Sequence, residues 1–317
     1  MTNARNLISG AFVAMLVAAP PAIAPMVAEA ADLGAKDQTI KLAINEWTGQ
    51  HVTTHIAGTI LEKMGYKVEY VTAGNYPQFS GLADGSISAT LEVWMNNVGD
   101  IFPKSLADGK IEDIGALGLE THEGWVYPKY MEQICPGLPD WSALAKPECV
   151  QALATPDTLP NGRLLDYPAD WGSRAATIIK DNNLPLTAVP AGSEGALTAE
   201  LESANASKKP LVMMYWAPLP LFAEVETGWV KMPPCKDQTN EHCINPPEVH
   251  KVLWKDFGKT WPAAYEFLKH FQMDAGAQTQ LMLDIEKKGQ DESAVTKDWV
   301  EKNQSVWQPW VSAATGS

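Results

Sequence analysis

Residues 39–49 read Thr39-Ile40-Lys41-Leu42-Ala43-Ile44-Asn45-Glu46-Trp47-Thr48-Gly49. A short apolar run stops at a turn that carries a tryptophan. Behind it, Val52, His55, Ile56, Thr59, Ile60 and Lys63 recur at spacings of three and four, which predicts a helix over 51–64. Gly65 ends it. Residues 66–71 form the next strand candidate, and 76–82 a short helix closed by Asp84-Gly85. Residues 87–93 alternate as a strand and end at Trp94. The order β–α–β–α–β predicts a parallel sheet with crossover helices.

A second set begins with a strand over 124–127. Another, over 163–167, runs into Pro168-Ala169-Asp170-Trp171-Gly172-Ser173. A helix follows over 174–182. Ser193 and Glu194 suit the start of the next helix, which runs through Ala206. The apolar strand 211–215 ends at Trp216. From about Pro247 onward the pattern reads as helical, with Val249, Val252, Leu253 and Phe257 on one stripe. Two α/β lobes with a helical tail are expected, and sites in such sheets lie outside the carboxyl ends of strands.

That rule singles out part of the chain's 12 tryptophans. Trp47, Trp94, Trp171 and Trp216 all fall at strand ends, and Trp125 is a fifth wall or a neighbour. A single indole is more often core packing. Of Trp254, Trp261, Trp299, Trp307 and Trp310 in the tail, most are read that way. Four indoles at strand ends instead point to one shared cleft. A box of indole faces holds a methylated ammonium by cation–π attraction worth about 0.5–2 kcal/mol per ring. Glu123, just before Gly124-Trp125-Val126-Tyr127-Pro128, is placed to balance such a cation, to accept its hydroxyl or to share a proton with an N-oxide. Glu46 and Glu92 are further candidates for that role.

Residues 1–30 read as an export signal: Arg5, an apolar run over 7–19, and Ala28-Glu29-Ala30 as the cleavage site. Their removal takes one arginine and one glutamate and leaves the net charge at −14. That acidity argues against nucleic acid and anionic membranes as partners. Four cysteines in an exported chain suggest bridges, and Cys135–Cys149 with Cys235–Cys243 would close two short loops.

Other chemistry is less well supported. Asp237, Thr239 and Glu241 alternate inside the second loop and offer oxygen ligands to a structural Ca2+. An EF-hand loop, however, is longer and has a glycine at its sixth position. His51 and His55 share a helix face, but Val52 stands where a metalloprotease needs glutamate. Ala191-Gly192-Ser193-Glu194-Gly195 is close to a nucleophile elbow with alanine in the first glycine position. An exported hydrolase using Ser193, or a metal at the two histidines, is the competing class. A sugar-binding protein whose indoles stack on pyranose faces is a third.

Five segments together resemble the substrate-binding proteins of ABC importers for glycine betaine, choline and related compounds. They are Ile44-Asn45-Glu46-Trp47, Leu91-Glu92-Val93-Trp94, Gly124-Trp125-Val126-Tyr127-Pro128, Asp170-Trp171-Gly172 and Tyr215-Trp216-Ala217-Pro218. The resemblance implies a two-lobed α/β type II periplasmic-binding-protein fold. Each lobe would be a mainly parallel sheet flanked by helices, with two crossover segments. Lobe I would comprise 31–122 and 234–317, and lobe II 123–233. It also implies a non-enzymatic, monomeric periplasmic protein without a cofactor that closes on its ligand and delivers it to an inner-membrane permease. Trp47, Trp94, Trp171 and Trp216 would box the trimethylammonium group. Glu123 favours a ligand without a carboxylate. The chain is similar, in particular, to binding proteins for trimethylamine N-oxide, which combine four indole walls with one glutamate, and that resemblance ranks the N-oxide ahead of choline and glycine betaine. The Pro- and Cys-rich loop 233–247 departs from the family pattern.

Overall fold

The computed structural model describes residues 1, 32–235, 243, 244 and 246–316. The expected export signal, apart from Met1, and the Ca2+ candidates Asp237, Thr239 and Glu241 lie outside the described residues. The strands are β1 (Thr39–Ile44), β2 (Lys67–Thr72), β3 (Ala89–Trp94), β4 (Ile111–Ala116), β5 (His122–Pro128), β6 (Pro136–Pro139), β7 (Gly162–Asp166), β8 (Leu186–Pro190), β9 (Met213–Ala217), β10 (Thr227–Trp229) and β11 (Val249–Trp254).

Ten of them form two five-stranded sheets, ordered β2-β1-β3-β11-β4 and β10-β5-β9-β7-β8. The first sheet thus holds the strands before residue 117 and β11, and the second holds those between. The chain passes from the first sheet to the second between β4 and β5, and back between β10 and β11. The Thr121 hydroxyl donates to the Pro247 carbonyl at 3.0 Å and ties the two crossings together. This is the type II periplasmic-binding-protein fold.

Each sheet is mixed. β1 pairs in parallel with β2 and β3, and β7 with β8 and β9. β5 and β11, the strands by which the chain enters a sheet after crossing, run antiparallel to their neighbours. Residues 249–254 are strand β11, against the helical expectation. The cause is a register irregularity between His250 and Val252. It breaks the two-residue alternation and leaves apolar side chains at 249, 252 and 253, which imitates helical spacing. The remaining tail is helical, with Glu292–Lys302 and Gln304–Thr315 as separate helices.

Parallel pairing orients the carboxyl ends of β1 and β3 one way, and those of β7 and β9 one way, so each lobe offers one face for a site. The helix Thr48–Lys63 starts directly after Trp47 and buries Val52, Ile56, Ala57 and Ile60 against the first sheet. Cys135 is bonded to Cys149, and Cys235 to Cys243. Among the described residues no helix is long and apolar enough to cross a membrane.

Leu42 has no solvent exposure and sits in β1 between two parallel partners. Leu42→Ala should lower the unfolding free energy by about 2–5 kcal/mol in a denaturant titration. A loss below about 1 kcal/mol would contradict this placement of the core.

Candidate functional site

The four strand-end tryptophans converge. Trp94 is the last residue of β3, Trp216 the fourth of β9, Trp47 caps the helix after β1, and Trp171 lies in the turn after β7. With Asn75, Asn97, Glu123 and Tyr167 they line a cavity of about 30 Å³ between the two sheets. The Trp47 and Trp171 rings meet edge-on at 5.3 Å, and those of Trp171 and Trp216 at 5.5 Å. Tyr167 packs on Trp171 at 5.9 Å and on Trp216 at 5.6 Å. These indoles are almost fully buried, so the lobes are closed.

Trp171 belongs to the second lobe but is held by the first. Its indole N–H donates to Glu46 at 2.7 Å, and its carbonyl accepts from Asn75 at 2.7 Å. Gly172 follows at φ +79, a left-handed value that disfavours side chains. A Cβ there would lie 2.9 Å from the Asn97 carbonyl and would also strike the Tyr76 hydroxyl, both across the cleft. The Asp-Trp-Gly sequence is thus a turn that lets one lobe approach the other.

Glu123 is buried in β5, directly opposite Trp216 in the ladder. Asn96 and Asn97 donate to its two oxygens at 2.9 and 2.6 Å, and the Tyr167 hydroxyl donates as well. Burial pushes its pKa up, against the pull of those donors, and Asp166 adds a like charge. No lysine, arginine or histidine of the described residues lines the cavity.

Glu46 and Glu92 take other roles than the one expected. Glu46 is exposed and anchors Trp171. Glu92 is buried behind the box and accepts from the Trp47 and Trp94 indoles. Trp125 is fully buried but does not line the cavity, so it is a neighbour. Tyr167, Asn75 and Asn97 escaped the sequence reading. For Tyr167 a signal existed, because it closes the same strand end as Trp171. The two asparagines lie in turns without a pattern.

The competing candidates are otherwise engaged. The Ser193 hydroxyl accepts from Ala196 N–H and caps its own helix. His51 and His55 both turn onto Glu292, at 3.0 and 2.8 Å. Among the described residues no group of three or more His, Cys, Asp or Glu side chains is arranged to hold a metal.

Residues 38–302 match the family model of the substrate-binding domain of ABC-type glycine betaine transport systems. The chain belongs to this family. Members are substrate-binding proteins of transport systems, not enzymes, and this chain is the substrate-binding component of an ABC transporter. It is 31% identical over 287 residues to a trimethylamine N-oxide-binding protein of Pelagibacter ubique, covering 86% of this chain and 90% of that one. A choline-binding protein of an ABC transporter, in complex with choline, superposes with TM-score 0.74 at 19% identity, over 86% of this chain and 91% of that one. Lactococcal OpuAC, closed on glycine betaine, gives 0.70 at 18% identity, over 87% and 100%. At these identities the two structures speak for the fold.

A second contact closes the cleft. Glu194 of the second lobe accepts from the Thr48 N–H and hydroxyl, both at 3.0 Å, and so caps the helix Thr48–Lys63 from across the gap. Burial, with Glu286 nearby, raises its pKa to about 7, while Thr48 and His51 pull the other way. The carboxyl holds its proton more tightly closed than open, so closing takes up protons. Closure should therefore weaken as pH rises from the ordinary carboxylate value of 4.5 towards about 7. Burial gives Glu123 and Glu286 the same sign. Glu194→Gln should flatten this slope in ligand affinity measured against pH, and an unchanged slope would contradict the assignment.

Proposed function

We propose that the protein is the periplasmic binding component of an importer for trimethylamine N-oxide. It would hold the trimethylammonium head among Trp47, Trp94, Trp171 and Trp216 and deliver it to an inner-membrane permease. The observation that carries this reading is Glu123, an acid at the wall of an indole box that offers no cation.

The polar end of the ligand must meet that acid. A betaine carboxylate would face like charge without a compensating lysine or arginine, which is costly in a buried site. An N-oxide oxygen is an acceptor too, but one proton shared with Glu123 resolves the clash. Burial raises the Glu123 pKa in the direction that sharing requires. Size agrees: about 30 Å³ is room for a few water-sized groups. Trimethylamine N-oxide adds a single oxygen to its methylated head. The N-oxide-binding relative supports the same choice.

Choline is the second reading, because its hydroxyl can donate to an ionised Glu123. It needs a longer cavity. Closure follows from indoles of both lobes meeting one ligand, which gives the closed state a differential contact. Four ring contacts of about 0.5–2 kcal/mol each, plus methyl burial, put affinity near the micromolar range.

Calorimetric titration with trimethylamine N-oxide, choline, glycine betaine and carnitine tests the reading. The N-oxide should bind most tightly, and a preference for glycine betaine would contradict the role given to Glu123. Trp171→Ala and Trp216→Ala should each weaken binding by at least about 1 kcal/mol. Unchanged affinity in both would remove the box. Glu123→Gln should weaken the N-oxide and choline more than glycine betaine, and the reverse order would remove Glu123 from the ligand.

A further inference from the structure

Glu92 is an acidic residue outside the cavity lining. It lies two positions before Trp94 in β3, is 1% exposed, and does not line the cavity. Its Oε1 accepts the indole N–H of Trp47 at 2.8 Å and that of Trp94 at 3.1 Å. Its Oε2 accepts from the Thr53 hydroxyl and the Gln278 amide, both at 2.9 Å. One Gln278 amide hydrogen goes to the Gly49 carbonyl, at 3.0 Å, which fixes the orientation of that side chain, and the other is shared between Glu92 Oε2 and the Thr53 hydroxyl oxygen. The Thr53 hydroxyl oxygen accepts from Gln278 while its proton goes to Glu92.

Every partner of this carboxyl is therefore a donor. A proton on Glu92 would point at an indole N–H, an amide N–H or a hydroxyl already committed. Burial holds the Glu92 pKa above its ordinary value against the pull of its four donors; the geometry nevertheless favours the anion, because the converging donors leave no acceptor for a carboxylic proton. The charge has no lysine or arginine partner in this set, so its field falls on the two indoles bonded to it. An anion hydrogen-bonded to an indole N–H pushes electron density into the ring and makes its face more negative. The two rings concerned are the first lobe's half of the box, and Thr53 and Gln278, the other partners of Glu92, belong to the same lobe.

We propose that Glu92 is the positioning residue of Trp47 and Trp94, and that its buried charge makes their faces select a cationic methylated nitrogen over an uncharged isostere. This rests on the methylated-amine reading above. The ligand's positive charge then has two acidic counterparts: Glu123 at the wall beside its polar end, and Glu92 acting through the rings.

The test compares trimethylamine N-oxide with tert-butanol, which has the same shape and an uncharged carbon at the centre. The wild-type protein should prefer the N-oxide strongly. Glu92→Gln should weaken N-oxide binding by about tenfold or more and change tert-butanol binding by about twofold or less, so the ratio collapses. Glu92→Asp keeps the charge and should keep the ratio even where both affinities fall. A purely structural role would lower both ligands together and leave the ratio unchanged in Glu92→Gln, which would overturn the proposal. A second measurement needs no variant: the carbon-13 shift of the Glu92 carboxyl in wild-type protein at neutral pH should be that of a carboxylate. A carboxylic-acid shift would overturn the proposal. If wild-type protein ignores the N-oxide but takes choline, the functional reading fails while this one is tested with choline and 3,3-dimethylbutan-1-ol.

Discussion

One residue of the second lobe is held inside the first. The Trp171 side chain donates to Glu46, its carbonyl accepts from Asn75, and its ring leans on Trp47. None of these partners is within a hundred residues of it except Asn75, at 96. Such a seam forms only when the lobes meet, so it couples the shape of the cavity to the closed arrangement. Gly172 shows how tight the meeting is, because any side chain there would collide with Tyr76 and Asn97. The box and the closure of the cleft are consequently one structural problem. The wall that completes the site is also the contact that closes it.

The chain carries a net charge of −14, and its cleft buries carboxyls rather than avoiding them. Glu92, Glu123 and Glu194 occupy three distinct settings. Glu92 sits among donors, Glu123 faces the cavity beside amides and a phenol that donate to it, and Glu194 caps a helix on the opposite lobe. Burial raises all three, and the local donors decide how far each can stay charged. A cavity lined by an acid and, among the described residues, by no lysine or arginine suits a cation that arrives with its own charge wrapped in methyl groups. Such a head cannot donate hydrogen bonds, so faces of rings and the field behind them are the means of holding it.

Much of the site was legible because strand-end position is a strong constraint. Trp47, Trp94, Trp171 and Trp216 lie at or just past the carboxyl ends of four strands of two parallel groups, and the carboxyl-end rule predicted that they would meet. Glu123 was readable from its place before the first strand of the second lobe. The rest required three dimensions. Glu92 looks like a ligand-facing acid in sequence because alternation puts it on the face of Trp94, yet that same geometry aims it at the indole N–H behind the box. Tyr167 was placed only as the end of a strand, although it closes the same strand end as Trp171. Asn75 and Asn97 act through backbone carbonyls and a carboxylate that only folding brings near. β11 was misread because its irregular register imitates a helical stripe, and the mixed sheets follow from the two entering strands, whose direction no local pattern records.

The central claim is that indoles from both lobes enclose a methylated nitrogen, and proton NMR of the bound ligand addresses it most directly. Methyl protons lying over several indole faces experience ring currents that move their resonance upfield. The account predicts a marked upfield shift of the trimethylamine N-oxide methyl signal in wild-type protein, with saturation transfer from the tryptophan ring protons. It also predicts a smaller shift when Trp216 is replaced by alanine. A bound methyl resonance that stays at its free position, with no transfer from indole protons, would contradict it.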